Sequence, residues 1–380
     1  MGKGFPCPCQ APGRAFAESF KYKMIPKYYF ALPDLDKPVG GHNIQYKIIE
    51  TLLNAGYDVA SLHGARHYRY PYSKTDAPGY FFPDIAKLHL PATFQPLRKL
   101  RSENLWKHQR PRLRNPHPAL ERSPRDVFVL PEFIYGEYAR LFLDAPLILA
   151  AQDVFGLTRA YTRDMKTEAP VCHKRFTGIY TTSHASTEAV RTLLGREPHL
   201  IGLPIDGDAL SPLQKKLQIA YMPRKMKEES DLVLTVLRAR SHIANIPIIP
   251  IVGMSDEERD RTLRESLFFL SFSEREGFGL PPAEAMAAEC IVIGYTGVGG
   301  NEYFTPETGF PVQSNDVMKF VQTVEKVIQE YQDTPKRLDN LRRSASAQIR
   351  RKYRPEIWQK AVLEAWSDFD REIRCKLALK

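Results

Sequence analysis

Hydrophobic positions along the chain fall into short apolar runs separated by amphipathic stretches, the pattern of strands buried on both faces alternating with helices. The first run, KYYFALPDL (27–35), ends in turn residues, and a Gly-Gly turn follows at Gly40 and Gly41. Ile44, Ile48, Ile49 and Leu52 then recur at helical spacing, and Gly56 suits the helix end. YDVASLH (57–63) reads as the next strand. Strand, glycine turn, helix, strand is the opening of a doubly wound α/β domain. After a stretch rich in Pro, Tyr and Arg (64–125), alternation resumes with DVFVLPEF (126–133), PLILAAQD (146–153), GIYTTS (178–183) and HLIGLPI (199–205), with a helix over 185–194.

A polar link, DGDALSPLQKK (206–216), leads into a second cycle. Its strands are LQIAYMP (217–223), IPIIPIVG (246–253), SLFFLSFS (266–273) and CIVIGY (290–295). Helices are expected over 231–240, over 255–265 behind a Ser cap, and from Pro282 onward. Val317, Phe320, Val321, Val324, Val327, Ile328 and Tyr331 mark a later amphipathic helix. Trp358, Val362, Trp366, Phe369 and Ile373 form the apolar stripe of the last one.

At 380 residues the chain exceeds what one hydrophobic core usually organises. The expected division is a tail (1–23), an N-terminal domain (24–205) with a basic Pro-rich excursion (64–125), a C-terminal domain (206–350) and a closing helix (351–380) that packs back on both. Hydrophobic residues at 43% and charged residues at 26% fit a globular chain, and no apolar run reaches the roughly 20 residues of a membrane span. Without a secretory signal pattern at its start, the chain is expected to be cytoplasmic. Cys7 and Cys9 form one Cys-x-Cys with no second pair, a poor zinc site, and no metal or other cofactor is expected. The net charge of +10 is concentrated in residues 98–125. That stretch reads as a solvated excursion or as a surface that docks on anionic lipid at the inner membrane face. A nucleic-acid-binding protein is the alternative from another class, but no reading motif accompanies the charge and no nucleic acid is expected as a partner.

The segment SLFFLSFSEREGFGLPPAEAMA (266–287) carries the chemistry. A buried strand turns through a glycine loop into a helix whose free N–H groups attract phosphate or sugar oxygens. Glu276 lies in the turn and Glu284 in the first helical turn, so both can face one pocket and accept hydroxyl hydrogen bonds from a sugar or ribose. Two carboxylates that merely favour a helix N-terminus are the structural alternative.

Glu276-Gly277-Phe278-Gly279-Leu280 followed by Glu284-Ala285-Met286-Ala287 resembles the E-x7-E signature of the retaining family 4 (group 1) glycosyltransferases. A weaker likeness covers most of 27–373: GVGGNEYF (297–304) is similar to the family's glycine-rich turn, and IAYMPRK (219–225) to its basic turn. The resemblance implies the GT-B fold, two Rossmann-like domains facing a central cleft. It implies transfer of a sugar, with retention and without metal, from a nucleotide-sugar donor to a glycan or lipid-linked acceptor in polysaccharide or cell-envelope biosynthesis. A non-catalytic sugar-nucleotide binder of the same descent remains the further alternative.

Carried over by position, Glu276 would meet the donor sugar and Glu284 the ribose, while the backbone of Gly277, Phe278, Gly279 and Leu280 would cradle sugar and phosphate. Arg224 and Lys225 would hold the diphosphate as its charge grows, with Lys227 a rival because the usual Lys-Gly is absent. Gly40 and Gly41 correspond to the N-terminal glycine loop. His42, Gln152, Asp153 and His184 are candidates for acceptor or sugar contact. Asp206-Gly207-Asp208 mimics the metal-binding D-x-D of another glycosyltransferase class, but falls where a polar link is needed anyway.

Overall fold

The computed structural model describes residues 25–35, 39–73, 75–88, 116–223, 226–240 and 243–378. The expected tail, Cys7 and Cys9, most of the basic stretch, and the pair Arg224 and Lys225 lie outside the described residues. In the first half the elements run β1 (Lys27–Ala31), α1 (Gly40–Asn54), β2 (Asp58–His63), β3 (Gly79–Phe81), α2 (Pro83–Lys87), β4 (Asp126–Pro131) and α3 (Tyr135–Leu141). Then come β5 (Leu147–Ala151), α4 (Val154–Asp164), β6 (Phe176–Thr181), α5 (His184–Leu194) and β7 (His199–Leu200). The second half holds β8 (Lys216–Tyr221), α6 (Lys227–Arg238), β9 (Ile248–Pro250), α7 (Asp256–Glu265), β10 (Ser266–Ser273) and α8 (Leu280–Ala287). It ends with β11 (Ile291–Thr296), β12 (Phe310–Val312), α9 (Val317–Asp333), α10 (Pro335–Lys352) and α11 (Pro355–Ala378).

These strands make two sheets, ordered β3-β2-β1-β4-β5-β6-β7 and β12-β11-β10-β8-β9. The first begins with the 3-2-1-4-5-6 order of the dinucleotide-binding fold, and the second, counted from its own first strand, has the flavodoxin-like order 2-1-3-4-5. Every pair in the second sheet is parallel. Both are therefore Rossmann-like, as expected. The cause is visible in SLFFLSFS, all eight residues of which are buried, as a strand covered on both faces requires. Capping fixes the helices around it. The Ser255 hydroxyl and the Glu258 carboxylate form a reciprocal box at the start of α7, and Asp316 accepts the Lys319 N–H at the start of α9. No helix among the described residues is long and apolar enough to cross a membrane.

The described chain divides into two compact units. One takes residues within Met1–Ala150, Arg159–Tyr180 and Val362–Lys380, and the other Ala151–Thr158 and Thr181–Ala361. The division thus falls ahead of the 205/206 boundary expected from sequence. Residues 181–205 are tied to the second unit: the His184 N–H donates to Glu302 at 2.9 Å and the Ile205 N–H to the Tyr353 carbonyl at 2.8 Å. The closing helix is split as well, with its Trp366 stacked on Phe30 inside the first unit.

Several local expectations are corrected. The excursion is not wholly outside the sheet, because Gly79–Phe81 pairs in parallel with β2 as an edge strand. Gly40 and Gly41 are the first residues of α1 rather than a turn before it. HLIGLPI yields only two strand residues, since Gly202 takes a φ of +70° and Pro204 follows. Helix α6 begins four residues earlier than expected, at Lys227. α10, whose surface is dense in arginine and lysine, had no apolar run to announce it; Leu338, Ala345 and Ile349 form its buried stripe.

Candidate functional site

In an open parallel sheet, ligands bind where the strand order reverses, beyond the carboxyl ends of the two strands that flank the reversal. In the second unit that place lies between β8 and β10, which pair in register with Leu270 beside Tyr221. Beyond β8 the chain runs through Met222 and Pro223 toward Arg224 and Lys225, which lie outside the described residues. Beyond β10 it enters the loop from Glu274 to Gly279. The two segments singled out from sequence therefore leave neighbouring strands at one switch point.

The loop is shaped by close backbone approach. A Cβ on Gly277 would overlap the carbonyl oxygen of Gln152 and come within 2.9 Å of the Asp153 Cα. A Cβ on Gly299 would in turn overlap the Gly277 carbonyl, and the Gly299 N–H donates to the Glu276 carbonyl at 3.1 Å. The Gln152 carbonyl is held from its other side by the hydroxyls of Thr182 at 3.2 Å and Ser186 at 3.1 Å. Three segments thus meet through backbone: the end of β5, the loop after β10, and the 3-10 turn Gly299–Glu302.

Gly279, with φ at +85°, is the N-cap of α8, a conformation costly for any other residue. The helix starts at Leu280, so Pro281 and Pro282 occupy its second and third positions and Glu284 lies in its second turn, one turn later than expected. Both prolines lack an N–H, which leaves the N–H groups of Gly279 and Leu280 as the donors of this helix end.

Phe278 is 3% exposed, with its ring 5.0 Å from that of Tyr303 and 5.1 Å from that of Tyr353. Its side chain anchors the loop from below, so only its backbone faces a ligand. The Tyr303 hydroxyl donates to the carbonyls of Phe278 and Gly279. Burial, then the neighbouring Tyr353, then the charges of Glu276, Glu302 and Glu284 push the Tyr303 phenol well above its usual pKa. Both glutamates of the motif therefore bear on one buried group, and Glu302 joins them. Glu302 also accepts from the Tyr353 hydroxyl at 2.8 Å.

Sequence reasoning missed Arg259 on α7. Burial lowers its pKa, but Glu284 first, then Asp260 and Asp256, outweigh this and raise it. Arg259 donates to Asp260 and Asp256, each at 2.8 Å. The charge of Glu284 thus favours the protonated guanidinium of Arg259. The only signal for it in the sequence is its place on the helix just before β10.

The remaining candidates separate. Asp153 caps α4, accepting the N–H groups of Phe155 and Gly156 at 3.3 and 3.0 Å. His184 is exposed at the first position of α5, behind the Ser183 cap. Lys227 opens α6 and pairs with Asp231 at 2.5 Å. Gly40 and Gly41 belong to the first unit, beyond the carboxyl end of β1, where that sheet reverses its order. His42 beside them is buried, with its ring 4.5 Å from that of Tyr70 and 5.5 Å from that of Tyr46. Burial lowers its pKa to about 3, and its Nε2 has no hydrogen-bond partner among the described residues. It is a neutral imidazole in an aromatic setting. Asp206 accepts the Ala209 N–H at 3.0 Å within a turn, and among the described residues no group of three or more His, Cys, Asp or Glu is arranged to hold a metal.

Comparison with known proteins bears on the same region. Residues 236–347, which include the loop and α8, match the family model described as glycosyl transferases group 1. An alpha-1,6-glucosyltransferase of Actinobacillus pleuropneumoniae serotype 7 (strain AP76) is 27% identical over 222 residues, covering 56% of this chain. The match spans 66% of that relative's length, just short of two thirds. Among solved structures, sucrose-phosphate synthase from Thermosynechococcus elongatus aligns with a TM-score of 0.59 at 14% identity, over 90% of this chain and 98% of its own. The Anabaena protein HepE, solved with UDP, gives 0.58 at 12% identity, over 90% and 99%. At these identities the structural likeness speaks for the fold, which is that of GT-B glycosyltransferases.

Proposed function

We propose that this chain is a group 1 glycosyltransferase that moves a sugar from a nucleotide-sugar donor to a glycan or lipid-linked acceptor. The observation that carries the reading is the switch point of the second sheet, where the glycine-packed loop from Glu276 to Gly279, held by the Tyr303 hydroxyl, leads into α8 and Glu284. Glycine at 277 and 279 lets the loop pack against the Gln152 carbonyl and the Tyr303 hydroxyl, which fixes the backbone that the donor meets. The N–H groups of Gly279 and Leu280, at the positive end of α8, favour a phosphate oxygen. Glu276 is assigned to the donor sugar hydroxyls and Glu284 to the ribose, each as a carboxylate acceptor.

Diphosphate charge that grows as the sugar leaves is met by Arg224 and Lys225, with Lys227 as the further cation, and this requires no metal. Retention of configuration follows the family pattern: the leaving phosphate assists removal of the acceptor proton, so no protein base is required. Gln152, held through its carbonyl at the loop, and His184 are assigned to the acceptor side. Gly40 and Gly41 of the first unit are assigned to donor binding. The family match and the glucosyltransferase relative support sugar transfer, and a role in polysaccharide or cell-envelope glycan biosynthesis is part of the same proposal.

The test is a thermal-shift screen of nucleoside diphosphates and nucleotide-sugars. A ligand at about 100 times its Kd stabilises the protein by about 2.7 kcal/mol. Glu284→Ala should remove that stabilisation while leaving the unliganded midpoint within a few degrees. No stabilisation of the unaltered protein by any member of the panel would count against the reading.

A further inference from the structure

The first unit carries a second cluster of positive charge, at the amino ends of β5 and β6, the opposite end of the sheet from Gly40 and Gly41. There a depression of about 240 Å³ is lined by Leu143, Lys174, Arg175, Thr177, Lys376 and neighbouring backbone. Three cations from two segments meet in it: the 3-10 turn His173–Arg175 supplies two and α11 the third. Among the described residues none of the three has a carboxylate within salt-bridge distance. Arg175 is fixed by donating to the carbonyls of Phe142 and Leu143, each at 3.0 Å, and Lys376 reaches the Thr177 hydroxyl at 3.2 Å. Asp144, the one acidic residue of the lining, is paired with Arg122 at 2.5 Å. Like charges brought together without counter-charge repel, so such a cluster is stabilised by an external anion.

Leu143 identifies the kind of anion. It stands on the rim at 68% exposure, the most exposed of the large hydrophobic residues described, whereas Pro146 and Leu377 of the same lining are buried. A soluble phosphate ion has no use for that apolar edge. A phospholipid does: its phosphate meets the cations while the leucine enters the boundary between headgroups and acyl chains. We propose that this face docks on an anionic lipid surface, with Lys174, Arg175 and Lys376 on the headgroup phosphates and Leu143 inserted. The residues belong to the first unit, whereas the Glu276 to Glu284 motif belongs to the second, so the surface is independent of the donor reading.

The test is co-sedimentation of the full chain with vesicles of phosphatidylcholine alone or with 30% phosphatidylglycerol. The expected result is binding to the anionic vesicles only, weakened as salt rises. Lys174→Gln with Lys376→Gln should weaken it about 30-fold, from ~1 kcal/mol for each lysine at the surface. Leu143→Asp should weaken it as well. All three positions are exposed, and an unchanged melting temperature will show that the variants fold. Vesicle binding undiminished in the double lysine variant would overturn the proposal and move the contact to residues 98–125. Protection by inorganic phosphate through the same lysines, with Leu143→Asp binding vesicles normally, would overturn it in favour of a soluble anion.

Discussion

The Cα of Gly277 faces the carbonyl oxygen of Gln152 so closely that a side chain of any size there would overlap it. Because the opposing atom is backbone, itself held by Thr182 and Ser186, it cannot swing aside. Gly277→Ala is therefore expected to destabilise the second unit by about 1–3 kcal/mol and to weaken nucleotide binding with it. Urea unfolding read beside a nucleotide titration checks both effects. A fully stable alanine variant would mean that the contact has slack.

Tyr303→Phe tests how the loop is held from below. The phenol donates to two buried carbonyls, and its removal leaves them unsatisfied at about 1–3 kcal/mol in total. A stability loss inside that range is expected, together with a weaker donor complex, since the same carbonyls belong to the loop that cradles it.

A third prediction concerns pH. His42 has a folded pKa of about 3, below its ordinary value of 6.5, because burial disfavours the imidazolium. Between those values the unfolded chain takes up a proton that the folded chain refuses. The stabilising difference is thus complete above 6.5 and is lost as pH falls toward 3. From pH 7.5 to 5.0 the group should lose about 2 kcal/mol of stability. His42→Phe should remove that part of the slope, which chemical unfolding of both proteins at the two pH values will measure as a difference. Parallel slopes would show that the imidazole is solvated.

Lys215 makes a fourth case, apart from the site. Its ammonium donates to the carbonyls of Leu263 at 3.1 Å and Ser266 at 2.8 Å, and also to that of Ala288, joining the ends of α7 and α8 to β10. Lys215→Met keeps the stem and removes the donors. A loss of about 3 kcal/mol is expected, because three partly buried hydrogen bonds to one charged donor are lost together. Equilibrium unfolding will measure it.

Much of the second sheet was legible because its strands are written in one kind of residue: SLFFLSFS and CIVIGY admit no other reading in a chain that alternates with helices. The E-x7-E segment was legible for a different reason, since glycines, prolines and carboxylates at fixed spacing leave few physical options. What holds the site in place was not. Tyr353 reaches Glu302 across 51 positions, and Gly277 meets Gln152 across a still longer separation, with no local pattern to announce either contact. Lys215 looked like part of a polar link and is a half-buried tie. Phe278 sits inside the best motif of the chain, yet its ring belongs to the core, because the loop needs an anchor as well as a ligand face.

The central claim is that the loop beginning at Glu276 works on a nucleotide-sugar. Its most direct test is release of nucleoside diphosphate from a panel of nucleotide-sugars, by the unaltered protein and by Glu276→Ala, with and without added glycan or lipid-linked acceptors. Release by the unaltered protein is expected, faster with the right acceptor, with loss of about 10²-fold or more in the variant, whose fold remains intact. Turnover that is equal in the two proteins would contradict it.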